Sequence, residues 1–192
     1  FVPTAKILAH DPFFADWPTI QFYGKTGRWE YQSHGHLAHD PIPINGAGKE
    51  GTFLFNKKWL PEKNRLETDE EYLSRLEKDY IESGSLLRKE GSNHKVIGYS
   101  FPFSEAGQGS LGNMPEATRL NEGLLARYYR FGFIQDQAGY TILKEGGPSP
   151  MMLRRYTVPS SWGGEHLIRH LARRHPQNVS RIQLGQSYFW NG

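Results

Sequence analysis

Imidazoles are the side chains of this sequence best suited to chemistry. Six of the eight histidines fall into two clusters, His34/His36/His39 and His166/His170/His175. Clustered imidazoles ligate divalent metals or titrate near neutrality. In an extended segment His34 and His36 project to the same side, as two ligands of one ion do. His39 or Asp40 then supplies a third ligand after a turn and leaves an open position for water. His34, His36 and His39 are therefore the candidate zinc ligands, and the chemistry they point to is metal-dependent hydrolysis. The competing reading is a polar loop ahead of Pro41 whose histidines serve as hydrogen-bonding groups.

The second cluster reads differently. His166 and His170 are four residues apart and share one helical face, but Glu165 precedes the first of them, whereas the metalloprotease pattern places its acid after it. The more economical reading joins them to arginines. Arg154, Arg155, His166, Arg169, His170, Arg173 and Arg174 crowd a stretch, residues 154–181, whose one acid is Glu165. This basic surface is the candidate partner-binding site, for an acidic protein or for the phosphates of RNA.

Gly107, Gly109 and Gly112 match a dinucleotide-binding glycine pattern between a strand-like and a helix-like segment, with Asp136 further on. The pattern departs from the motif on both sides. Residues 102–106 separate the strand from the first glycine, and 113–115 restart the chain after the last. Nucleotide binding there is the last of the alternatives. Gly46-Ala47-Gly48-Lys49 is a turn, because Pro43 and Glu50 stand where a phosphate loop needs Gly and Ser or Thr. There is no cysteine, which excludes disulfides, thiolate metal sites and a thiol nucleophile. No Gly-x-Ser-x-Gly elbow offers a nucleophilic serine.

Three helices are needed to position these groups. The first spans residues 69–82. Thr68 and Glu71 form its capping box, Tyr72, Leu73, Leu76 and Tyr80 its inner face, Glu71 and Arg75 an i,i+4 pair, and Gly84 its stop. The second is started by Pro115 and turns Ala117, Leu120, Leu124, Leu125 and Tyr128 inward. The third runs over 162–175 to Pro176, with Leu167, Ile168, Leu171 and Ala172 as its apolar face. Short strands are expected at 19–23, 28–32, 52–56, 95–101, 131–134, 140–143 and 151–158, and further aromatic segments at 182–184 and 188–190.

Residues 1–65 have little periodicity and many prolines and glycines, yet carry Phe13, Phe14, Trp17, Phe22, Tyr23, Trp29, Phe53, Phe55 and Trp59. The expected fold class is α+β, about three helices with short strands in residues 66–192, plus a long irregular aromatic- and Pro/Gly-rich arm at 1–65. An arm of that composition offsets its ordering entropy most readily by lying along partners. The preferred function is accordingly a non-catalytic accessory or scaffold subunit of a larger multi-protein assembly, organellar (mitochondrial), with other protein subunits as partners. A first residue other than Met and a net charge of +3 agree with a processed organellar chain. No run of eighteen apolar residues predicts a transmembrane segment. The alternatives are the histidine-ligated hydrolase and an RNA-contacting ribonucleoprotein component.

Overall fold

The computed structural model describes residues 1–91, 95–104, 112–135, 149–155 and 158–174. In chain order the elements are α1 (Thr4–Leu8), α2 (Trp17–Gly24), β1 (Ile42–Pro43), β2 (Glu50–Gly51), β3 (Trp59–Leu60), β4 (Arg65–Leu66), α3 (Asp69–Glu90), β5 (Gly98–Ser100), α4 (Ala117–Leu125), β6 (Phe131–Ile134), β7 (Leu153–Arg154) and α5 (Gly164–Arg174). The chain is a mixture of helices and short strands, as expected.

One parallel sheet organises the molecule. Ser33 bridges Val2 on one side and Tyr99 of β5 on the other. β5 then pairs with β6, Gly98 opposite Phe131 and Ser100 opposite Phe133. β6 in turn pairs with β7, Phe133 opposite Leu153. Parallel neighbours require crossovers, and α3 lies in the one between Ser33 and β5, α4 in the one between β5 and β6. Neighbours in the sheet are neighbours in the chain, a singly wound order without the reversal of a doubly wound sheet. All carboxyl ends therefore face one side, which is where such folds build their sites. That side carries Thr4, His34, Phe101, Gln135 and Arg155. Two small antiparallel pairs, β1 with β2 and β3 with β4, lie outside this sheet.

α3 starts as its capping box dictates: Glu71 N donates to Thr68 Oγ1 at 3.2 Å, and Thr68 N to Glu71 Oε2 at 2.9 Å. It does not stop at Gly84 but continues to Glu90. Gly84 serves close packing instead, since a Cβ there would lie 3.0 Å from the Tyr129 hydroxyl. The expected Glu71–Arg75 pair is replaced as well. Glu71 accepts from Arg65 and Lys63. Arg75 turns inward to Glu67 at 2.8 Å and donates to the carbonyls of Phe53 (2.8 Å) and Asn56 (2.7 Å). Its guanidinium also lies 4.3 Å from the Phe53 ring centre. Four strong acceptors and one aromatic face outcompete a solvent-exposed i,i+4 partner.

The amino-terminal third differs most from expectation. Residues 19–23 are helical, not extended: Asp16 caps α2 by accepting from Thr19 N at 2.9 Å, and Pro18 sits in the first turn. The helices thus number five among the described residues rather than three. Residues 52–56 form no ladder, and residues 28–32 join the sheet only at the following Ser33. Val2, Ile7, Ile20, Phe53, Leu54 and Phe55 belong to one core with Tyr72, Leu76, Tyr80, Tyr99, Phe101 and Leu125. Phe13, Phe22 and Trp29 are exposed. The strand expected at 140–143 and the segments at 182–184 and 188–190 lie outside the described residues.

Candidate active site

The loop that follows Ser33 holds the first histidine cluster, and two features shape it. Gly35 has φ +83°, a left-handed conformation, and a Cβ on it would sit 2.7 Å from Ala38 Cβ and 3.0 Å from the Tyr99 hydroxyl. Asp79 of α3, only 4% exposed, accepts from His36 N at 3.1 Å and Leu37 N at 2.6 Å. Burial pushes the Asp79 carboxyl up from the ordinary range, and the two backbone donors pull it back.

His34 and His39 come together. Their ring centres are 4.5 Å apart at 75°. His34 Nδ1 lies 2.6 Å from the carbonyl oxygen of Ser100, the last residue of β5. A carbonyl only accepts, so Nδ1 carries the proton and Nε2 holds the lone pair. Burial depresses His34 to a pKa of about 4 against the raising effect of that hydrogen bond, with smaller contributions from the nearby charges of His39 and Arg155. Burial also lowers His39, helped by Lys6. Its Nε2 is buried without a hydrogen-bond partner among the described residues. His36 goes elsewhere, with Nδ1 2.9 Å from Thr4 Oγ1. The strand-like alternation that would align His34 with His36 is broken by left-handed Gly35. Asp40 is engaged by Lys6 at 2.6 Å.

Aromatic side chains wall the pair. Phe103, itself at φ +57°, lies with its ring 5.3 Å from His39. Phe1 lies 6.4 Å from His34 and 5.4 Å from Phe133. Arg155, directly after β7, places its guanidinium 5.4 Å from the Phe1 ring centre. Two neutral imidazoles with available lone pairs suit a borderline divalent ion, and the carbonyl behind His34 is the outer partner such ligands normally have. They make two of the three protein ligands usual for catalytic zinc. Among the described residues no group of three or more His, Asp or Glu side chains converges.

No family model and no curated protein matches the chain. Solved structures do match. A de-N-acetylase from Aggregatibacter actinomycetemcomitans superposes with a TM-score of 0.59 at 18% identity, over 81% of this chain and 53% of that one. The BpsB deacetylase domain from Bordetella bronchiseptica gives 0.57 at 22% identity, over 82% and 54%. The fold is one that de-N-acetylases share. The chain spans about half the length of these structures. This finding overturns the reading as a non-catalytic accessory or scaffold subunit. That reading rested on the composition of residues 1–65, and composition does not report that Val2 and Ser33 belong to the central sheet. The hydrolytic alternative agrees with the neighbours.

The basic surface divides in two. His166, Arg169 and Arg173 are exposed on α5, where with Trp162 and His170 they line a cavity of about 310 Å³. The His170 and Trp162 rings are 5.0 Å apart. Arg154 is exposed on β7, whereas Arg155 is half-buried beside the histidine pair. The Arg174 side chain, His175, Gly107, Gly109 and Asp136 lie outside the described residues. No helix among the described residues is long and apolar enough to cross a membrane.

Nothing local in the sequence singles out Arg155 or Ser100. Their roles come from strand ends that only the sheet brings together. The five-residue spacing of His34 and His39 around a glycine was the available signal.

Proposed function

We propose that the chain supplies His34 and His39 as metal ligands in the active site of a de-N-acetylase, a metal-dependent hydrolase of N-acetyl groups. The observation that carries this reading is the pair itself. Two neutral imidazoles, one with a buried nitrogen that has no partner among the described residues, stand at the carboxyl ends of parallel strands in a fold that de-N-acetylases share.

A divalent ion held there supplies Lewis acidity toward an acyl carbonyl. The chain's own residues do the rest of what can be derived. The Ser100 carbonyl fixes the tautomer and aim of His34. Asp79 and Gly35 fix the loop, so the two rings are placed before any ligand arrives. Phe1 packs beside His34 and Phe103 beside His39, which gives the pair apolar neighbours on both sides. The net reaction joins a water oxygen to the acyl carbon and breaks the C–N bond. It leaves a free amine and acetate.

Metal titration of the native protein tests the ligand assignment. Replacing His34 or His39 with alanine should weaken divalent-ion affinity by ~100-fold or more, since even outer partners of metal ligands are worth up to about that much. His36→Ala should stay within a few-fold of wild type, because His36 is engaged with Thr4. Equal losses at all three positions, or none at His34 and His39, would remove the pair from the metal site.

A further inference from the structure

Among the described residues Arg155 has no counter-charge. It is half-buried after β7, its backbone N–H donating to Ile134 O at 2.7 Å, which anchors it to the end of β6. Its Nε is buried and has no hydrogen-bond partner among the described residues, and no acid there pairs with it. Burial alone lowers its proton affinity, with no carboxylate to raise it. A guanidinium removed from water and left unpaired is expensive, so folds keep one where an anion completes it. The surroundings restrict that anion. The Phe1 ring lies under the guanidinium and against Phe133, an apolar wall that suits a methyl group and disfavours a large hydrated anion. The other neighbour is His34, whose ring approaches the same Phe1.

We infer that Arg155 forms a carboxylate subsite beside the His34/His39 pair and holds the acetate that leaves the reaction. This rests on the de-N-acetylase reading for the identity of the carboxylate, not for its existence. The planar fork of the guanidinium meets two carboxylate oxygens at once, while the acetyl methyl lies along the aromatic wall. The same donors face the single acyl oxygen of an uncleaved N-acetyl group and bind it more weakly, because it carries no full charge.

The test is acetate binding to the native protein, followed by NMR of 13C-labelled acetate, both after chelation of metal and after loading with zinc. Acetate should bind in both states. Arg155→Met keeps the stem over Phe1 and should weaken binding ~10-fold or more in each, the usual loss for a hydrogen bond to a charged group. Arg155→Lys, which keeps the charge and loses the fork, should fall between. Arg154→Met, on the exposed neighbour, should leave binding within about twofold of wild type, and thermal melts of each variant control for folding. Wild-type affinity in folded Arg155→Met overturns the subsite, as does binding that appears only with zinc, which assigns the acetate to the ion. If acetate binding depends on Arg155 but no N-acetyl compound is hydrolysed, the subsite stands and the de-N-acetylase reading fails.

Discussion

Asp79→Ala is expected to lower stability by ~2–4 kcal/mol and to release the histidine loop in the same step. The carboxylate accepts from two consecutive backbone N–H groups, His36 and Leu37, at a site that is 4% exposed. Each buried donor left without an acceptor costs roughly 1–3 kcal/mol, and water reaching the partly exposed loop returns some of it. Burial of the charge already offsets part of the native benefit, as the raised Asp79 pKa records. Asp79→Asn should therefore fall between wild type and alanine, keeping one acceptor while placing an amide N–H against the second donor. Urea melts measure the stability change. NMR of the His34 and His39 rings measures the loop, and their close edge-to-face shifts should collapse in the alanine variant. A variant that melts like wild type and keeps those shifts would mean that Gly35 and Ser100 hold the loop unaided.

Arg75→Ala should be costlier, ~3–5 kcal/mol, the usual penalty for removing one partner of a buried ion pair. The Arg75 and Glu67 side chains are 15% and 5% exposed. Without Arg75 the Glu67 carboxylate is buried without its cation and keeps, among the described residues, the Lys58 N–H at 2.8 Å. The carbonyls of Phe53 and Asn56 lose their donors as well. The pair itself is less valuable than that figure implies, because desolvation consumes most of its attraction. Combining Arg75→Met with Glu67→Leu should thus recover a large part of the loss, and a double-mutant cycle in urea reads the coupling directly. Additive losses with no recovery would show that the guanidinium acts through the two carbonyls and the Phe53 ring, not through Glu67.

Both positions show where sequence reading reached and where it stopped. The capping box at Thr68 and Glu71 and the inward faces of α3 and α4 were legible, because they depend on residues three or four apart. The Glu71–Arg75 pairing was not, since both partners were claimed by residues from the 53–67 segment. The β-formers of Thr19–Tyr23 favour a strand by local propensity, while Asp16 and Pro18 carry the signal that starts α2. Strands of two to four residues leave almost no periodic trace, so the segments that hold β5, β6 and β7 were legible as strands but not as one parallel sheet, and the bridges at Val2 and Ser33 left no signal. At the site, the first histidine cluster was legible as chemistry but not as geometry. Which imidazoles meet depends on the sign of φ at Gly35 and on a carbonyl 66 residues away. Arg155 lies close to the α5 arginines along the chain, whereas its strand end delivers it to the Phe1 ring beside His34.

The decisive measurement is acetate release by the native, metal-loaded protein from N-acetylated compounds. His34→Ala and His39→Ala should each reduce kcat/KM by ~1,000-fold or more, equivalent to about 4 kcal/mol of transition-state stabilisation, while folding stays intact and His36→Ala remains active. A metal-loaded wild type that releases no acetate, or a His34 or His39 variant that hydrolyses at the wild-type rate, would contradict a catalytic His34/His39 pair.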